Sequence, residues 1–302
     1  MTQWSAVPLQ SIDLAAYAVQ VECYVCDGGN RFDVEFCRHC RAPLTLAFQA
    51  RKQKSQPQLL AVLGGPNVGK TCYVGMLTDV LSRRPDGLQM LAHGALSVSL
   101  QQQTISALAR RRFPPSTPSS PEGWRWVHCD VREPARKRAA ELVIPDVSGS
   151  AIVDEMETPH RVPAVRRLFA KSGGALILVE TQACLNDFHQ SEFVAMKIVS
   201  ELLSMPAAKR KGWSHRPVAI VFTKADRWDQ AFESPEEYAR RYTAGLWRVC
   251  HEQLRRHHFF AASVATVQVG MDGFGEQVSI PMRVEPRGIV EPFAWVAEQL
   301  MH

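Results

Sequence analysis

Gly64-Gly65-Pro66-Asn67-Val68-Gly69-Lys70-Thr71 decides the fold of this chain, because it fits G-x-x-x-x-G-K-[ST] at every fixed position. The apolar run at 59–63 reads as a buried strand, and residues 71–81 read as a helix. Between such elements the glycines let backbone N–H groups point at a phosphate. Lys70 brings a cation to the β- and γ-phosphates, and Thr71 brings a hydroxyl to Mg²⁺. The expected ligand is a nucleoside triphosphate, contacted by Gly64, Pro66, Asn67, Val68, Gly69, Lys70, Thr71 and Cys72.

Downstream, strand-like runs at 124–131, 139–145, 175–180, 218–223 and 259–264 alternate with helical patterns at 95–112, 162–170, 193–203, 235–255 and 292–300. This alternation predicts an α/β domain over 56–302, a mostly parallel sheet with helices on both faces. Prolines 114, 115, 118 and 121 make 113–121 an extended loop.

Upstream, residues 1–50 read as a separate small unit, joined by a polar linker ending at Pro57. Cys23-x-x-Cys26 and Cys37-x-x-Cys40 place four thiolates on two turns, which predicts a zinc ribbon with a tetrahedral Zn²⁺ site. All four thiolates are used, so the expected role is structural. His39 is expected on the surface. Cys72, Cys129, Cys184 and Cys250 are scattered and suggest no disulfide framework.

At 302 residues, with 46% hydrophobic and 22% charged content, the composition is that of a globular protein. No apolar run approaches the ~20 residues needed to span a bilayer. The first residues lack a basic segment followed by an apolar core, so a cytoplasmic location is expected. The net charge of +5 is gathered at Arg110–Arg112, Arg136–Arg138, Lys209–Lys211 and Arg255–Arg256. Such clusters suit solvated helix ends or an acidic partner, nucleic acid included.

Three further segments narrow the nucleotide. Leu142-Val143-Ile144-Pro145-Asp146-Val147-Ser148-Gly149 is an apolar strand ending in D-x-x-G. Asp146 is placed to hold the Mg²⁺ shell and Gly149 to offer its N–H to the γ-phosphate. Thr223-Lys224-Ala225-Asp226 follows another strand and resembles the guanine-reading N-K-x-D, with Thr223 for asparagine. Asp226 would accept from guanine N1–H and the exocyclic amine, while the Lys224 stem packs on the base. Phe259-Phe260-Ala261-Ala262-Ser263-Val264 resembles the last GTPase motif, a strand ending in Ser-Ala, with Val264 for the alanine; the resemblance implies that Ser263 supports the base from its other side. For the switch threonine, Thr117 in the proline loop is preferred over Thr104, whose surroundings read as helix.

Together these motifs resemble the translation-factor-related class of P-loop GTPases over about 59–302. The zinc-ribbon lead, the extra helix before the proline loop, and Pro292 with Trp295 resemble the double-GTPase family of bacterial conflict systems. The resemblance implies a GTP-binding switch with GTP, Mg²⁺ and Zn²⁺, working beside a protein partner or a second copy, in a defence setting. Lys70, Thr71, Thr117, Asp146 and Gly149 would carry catalysis, with Thr71, Thr117 and Asp146 on Mg²⁺. Two alternatives stay open: an ATP-dependent P-loop NTPase, and a zinc-ribbon nucleic-acid-binding module with an accessory NTPase. Ser150 stands where Ras-like enzymes carry a water-orienting glutamine, so hydrolysis is expected to be slow. Asp154, Glu155 or His160 are the neighbours that would substitute, or a partner would supply the group.

Overall fold

A computed structural model describes residues 20–51, 57–84, 86–181, 190–206, 212–271 and 277–301. The first nineteen residues of the expected ribbon unit, most of the linker, Cys184 and the basic cluster at 209–211 lie outside the described residues.

The ribbon is built from β1 (Gln20–Glu22) and β2 (Gly29–Arg31), an antiparallel pair, followed by α1 (Thr45–Arg51). The α/β domain begins with β3 (Gln58–Leu63) and α2 (Lys70–Ser82). Next come β4 (Gln89–His93), α3 (Gly94–Ala109), β5 (Arg125–Glu133), β6 (Arg138–Asp146), α4 (Gly149–Glu157) and α5 (Pro163–Lys171). Then follow β7 (Gly174–Glu180), α6 (Gln190–Ser204), β8 (Val218–Thr223), α7 (Asp229–Glu233), α8 (Pro235–Tyr242) and α9 (Ala244–Gln253). The described chain closes with β9 (His257–Ala261), the antiparallel hairpin of β10 (Ser263–Met271) and β11 (Gln277–Arg287), and α10 (Val290–Leu300).

One sheet carries the domain, in the order β4-β5-β6-β3-β7-β8-β9. From β6 to β9 neighbouring strands run parallel, while β4 and β5 extend it antiparallel. The expected mostly parallel sheet with helices on both faces is thus present, with one addition. β5 and β6 are joined by a tight hairpin, since only a short 3-10 turn at Pro134–Arg136 and Lys137 at φ 51° separate them.

Strand β3 sits in the middle with both faces covered, which is why its sequence is an unbroken apolar run. Leu59, Ala61 and Leu63 join the core that also holds Phe169, Ile198 and the ribbon residues Val21, Cys23 and Leu44. Leu60 and Val62 join the opposite core with Leu77 and Leu100. The ribbon therefore packs on one face of the sheet.

Three expected elements end elsewhere, each for a local reason, and one strand was not expected. The strand expected at 259–264 divides at Ala262, whose N–H bonds the Phe222 carbonyl at 2.8 Å, and Ser263 opens β10. The helix expected at 235–255 breaks at Thr243, where both the N–H and the hydroxyl return to the Ala239 carbonyl. The helix expected at 95–112 stops at Ala109, with Arg111 left-handed at φ 56°. Edge strand β4, with one fully buried residue, Met90, carries too little pattern to be read from sequence. None of the described helices is long and apolar enough to cross a membrane.

The chain leaves β3 toward β4–β6 and returns on the other side through β7–β9, a switch point where α/β sheets bind ligands beyond their strand ends. The carboxyl ends of β3, β6, β8 and β9 carry, in turn, the phosphate loop, Asp146, Thr223 and Ser263.

Candidate functional site

The loop between β3 and α2 has the backbone a phosphate cradle requires. Gly64 takes φ 147°, and a Cβ there would lie 2.5 Å from the Leu178 carbonyl oxygen, so only glycine fits. Asn67 is left-handed at φ 59°, a conformation asparagine tolerates, and Gly69 caps α2 at φ 93°. Lys70 is buried and its Nζ donates to the carbonyls of Gly64 (3.0 Å) and Gly65 (2.7 Å). Burial lowers its pKa to about 8, with the Asp146 charge opposing that fall. Cys72, in the same first turn, has its thiol pushed up to about 12, chiefly by burial. It stays a neutral thiol at neutral pH.

Three oxygen-bearing side chains converge beside Lys70. Thr117 Oγ1 donates to Asp146 Oδ2 at 2.7 Å, and Thr71 Oγ1 donates to the same carboxylate at 3.0 and 3.1 Å. The two hydroxyls are 3.1 Å apart. The proline-rich segment thus brings Thr117 across 46 residues of sequence onto the phosphate loop. Thr104 does not reach it. That side chain is buried in α3, bonds the Leu100 carbonyl at 2.9 Å, and packs onto Gly75 of α2. Asp146 is fully buried, which raises its pKa; the Thr117 and Thr71 bonds, Arg125 and Lys70 act the other way. An all-oxygen set of this kind suits a hard divalent cation such as Mg²⁺.

Gly149 opens α4 against the phosphate loop. A Cβ there would sit 2.4 Å from Gly65 C and O and from Pro66 N, so D-x-x-G places backbone directly on backbone. Ser150 bonds Ser148 at 2.8 Å. The Glu155 carboxylate accepts the N–H groups of His160 (2.9 Å) and Val162 (2.7 Å), which commits it to that turn.

On the base side, Ser263 Oγ donates to Asp226 Oδ1 at 3.3 Å, leaving the half-buried carboxylate oriented. Thr223 has a second task. Its hydroxyl donates to the Val68 carbonyl at 2.8 Å and lies 3.3 Å from that of Val179. A hydroxyl in the asparagine position thereby ties the phosphate loop to the base-side loop. Lys224, left-handed at φ 56°, pairs through Nζ with Glu180 at 2.8 Å. Its stem is accordingly tied to the end of β7. Sequence reading did not single out Glu180.

In the ribbon, the Cys23, Cys26, Cys37 and Cys40 sulfurs all lie within 4.8 Å of one another. The Cys23–Cys40 and Cys26–Cys37 separations are both 3.6 Å. Tetrahedral zinc with Zn–S of about 2.3 Å sets sulfurs about 3.8 Å apart, so the set fits a structural Cys₄ zinc centre. Both turns repeat one geometry: the residue after the second cysteine, Asp27 or Arg41, is left-handed at φ 57° or 62°. Each turn donates an N–H to a cysteine sulfur at 3.4 Å, Val25 to Cys23 and His39 to Cys37. His39 is exposed, as expected. Tyr24 Oη bonds the Pro57 carbonyl at 2.7 Å and Lys171 pairs with Asp27 at 2.8 Å, which fastens the ribbon to the domain.

Arg125 is a second group that sequence reading missed. It stands opposite Asp146 across the β5–β6 pair, with Nη1 3.4 Å from Oδ2. The Pro134–Arg136 turn was the available signal, since counting eight residues outward from Glu133↔Arg138 pairs Arg125 with Asp146.

Residues 61–201 match the family model Double-GTPase 1. The matched span runs from β3 through Lys70, Thr117, Asp146 and Gly149 into α6. No curated protein matches the chain. Among solved structures, a protein described as nucleolar GTP-binding protein 1 from Plasmodium falciparum is similar at 11% identity. That similarity has a TM-score of 0.43 and covers 81% of this chain and 86% of the other.

Proposed function

We propose, from the premise that this chain is a P-loop GTPase matching the double-GTPase family model, that it is a GTP-binding molecular switch whose loop 113–124 responds to the γ-phosphate. The observation that carries the reading is the convergence of Thr71, Thr117 and Asp146 beside Lys70. Lys70 and the N–H groups of the loop hold the β- and γ-phosphates. Thr71, Thr117 and Asp146 present the oxygens that hold Mg²⁺. Bound there, Mg²⁺ neutralises charge on the phosphate oxygens. Thr117 meets that site only when its loop is folded inward, so GTP and GDP differ in how firmly they hold the loop.

Asp226, steadied by Ser263, is positioned to accept the two guanine N–H donors that adenine lacks. Hydrolysis is slow, because Ser150 is short and Glu155 is committed to its turn. The zinc centre shapes the ribbon, and the switch works beside a protein partner in the cytoplasm, the setting that the resemblance to bacterial conflict-system GTPases implies. A paired titration with fluorescent GTP and ATP analogues in Mg²⁺ tests the reading. At least a tenfold preference for GTP, about 1.4 kcal/mol, is expected. Equal affinity would return the chain to P-loop NTPases without base selection.

A further inference from the structure

We propose that Arg125 is an arginine acting in cis on the γ-phosphate, supplying charge in a site where Ser150 replaces the water-orienting glutamine. The inference rests on the GTPase reading above.

Its first support is position. Asp146 gathers Thr71 and Thr117, and Arg125 Nη1 lies 3.4 Å from the same carboxylate. The guanidinium therefore stands beside the carboxylate that gathers both threonines, with its side chain only 18% exposed. The second support is rigidity. Directly opposed residues of an antiparallel pair hold their Cβ atoms on one face, about 5 Å apart, so register and not a loop aims Arg125 at the site. Third, the contact with Asp146 is single and long among the described residues, unlike the two-pronged fork arginine forms with a dedicated carboxylate partner. Most of its five donors face no carboxylate and suit the oxygens of a phosphate.

Arg125 also directly follows the loop that carries Thr117, so the loop closes onto a guanidinium that the strand already holds in place. In hydrolysis the water oxygen forms a bond to the γ-phosphorus as the bond to the bridging oxygen breaks. That electron pair stays on GDP, and the water proton leaves with inorganic phosphate. Negative charge grows on the bridging and γ-oxygens during this exchange, and a fixed guanidinium offsets it without reorganising.

The test compares full-length parent, Arg125→Ala and Arg125→Lys. Three quantities are read: affinity for fluorescent GTP and GDP, capture of aluminium fluoride by the GDP complex, and single-turnover GTP hydrolysis. Both variants are expected to bind GTP and GDP within about threefold of the parent, to lose aluminium fluoride capture, and to hydrolyse about 10³-fold more slowly. Arg125→Lys keeps a cation beside buried Asp146, so it separates the fork chemistry from simple support of the fold. Parental capture and hydrolysis in either variant would overturn the proposal. So would a parent that binds GTP yet captures no aluminium fluoride. A parent that binds no GTP would instead overturn the GTPase reading beneath it.

Discussion

Arg41, the residue after the last cysteine of the zinc cluster, donates through Nε to Glu122 Oε1 at 2.6 Å, tying the ribbon to the loop that carries Thr117. The left-handed backbone of Arg41 turns its side chain out of the knuckle, and Trp124 Nε1 bonds the Pro118 carbonyl at 3.1 Å just beyond. The loop is thus held at one end by Asp146 and at the other by the ribbon. Glu122→Arg is expected to speed hydrogen exchange over 113–120 and narrow the difference between GTP and GDP affinities. Adding Arg41→Glu should restore both; a double variant no better than the single would show the pair to be incidental.

The same pair sets a pH dependence. Ser120 first, then Arg41, hold the Glu122 carboxyl below its ordinary value. A depressed folded value means that the tie is present above the unfolded carboxylate range and is lost as pH falls through the lowered value. The protection of the loop against exchange, corrected for the intrinsic rate at each pH, should therefore be flat through neutral pH and fall only in acid, in a profile that Glu122→Gln abolishes.

Lys70 gives a dependence at the alkaline side. Burial lowers its pKa to about 8, and phosphates bound against it raise that value again, so triphosphate binding takes up a proton above pH 8. Affinity should fall by up to about tenfold per pH unit above about 8, the limit for one linked proton. Calorimetry in buffers of different ionisation enthalpy reads the uptake directly. Lys70→Met should abolish triphosphate binding altogether.

Thr223 and Asp226 separate loop support from base choice. Thr223→Val removes the hydroxyl that the buried Val68 carbonyl accepts, at a cost of about 1–3 kcal/mol. GTP and ATP analogues should both weaken. Asp226→Asn should instead erase the preference for GTP while leaving affinity for the phosphates in place. Matched titrations of the two variants check the contrast.

Gly149→Ala drives a methyl group into the Gly65–Pro66 backbone, where no side chain can yield. Destabilisation of about 1–3 kcal/mol should appear as a lowered melting temperature, with loss of nucleotide binding. Cys37→Ser should release zinc and expose the ribbon to proteolysis, read by metal content and limited digestion.

Much of this was legible in sequence because each motif sits where an apolar strand ends. The runs at β3, β7 and β8 are buried on both faces, so composition alone marks them. Thr117 was reachable because prolines exclude the alternatives around it. Arg125 was not, since its role depends on a register that a short turn sets, and the pull of Asp146 on it is invisible along the chain. Thr223 looked like a weakened asparagine; only the Val68 carbonyl opposite reveals what its hydroxyl does. Lys224 shows the reverse, a motif residue whose head is taken by Glu180, a partner that no motif names.

The β10–β11 hairpin lies outside the main sheet, and its first residue, Ser263, is the one bonded to Asp226. Nine residues of strand from Ser263 to Met271 make an arm of roughly 30 Å. Arg227, next to Asp226, donates to the Val267 carbonyl at 2.8 Å, so the arm and the base-side loop tilt as one body. By simple trigonometry on that length, a tilt of about 10° at Ser263 swings the far end by about 5 Å, enough to carry exposed Val269 and Met271 into or out of register with an opposing surface.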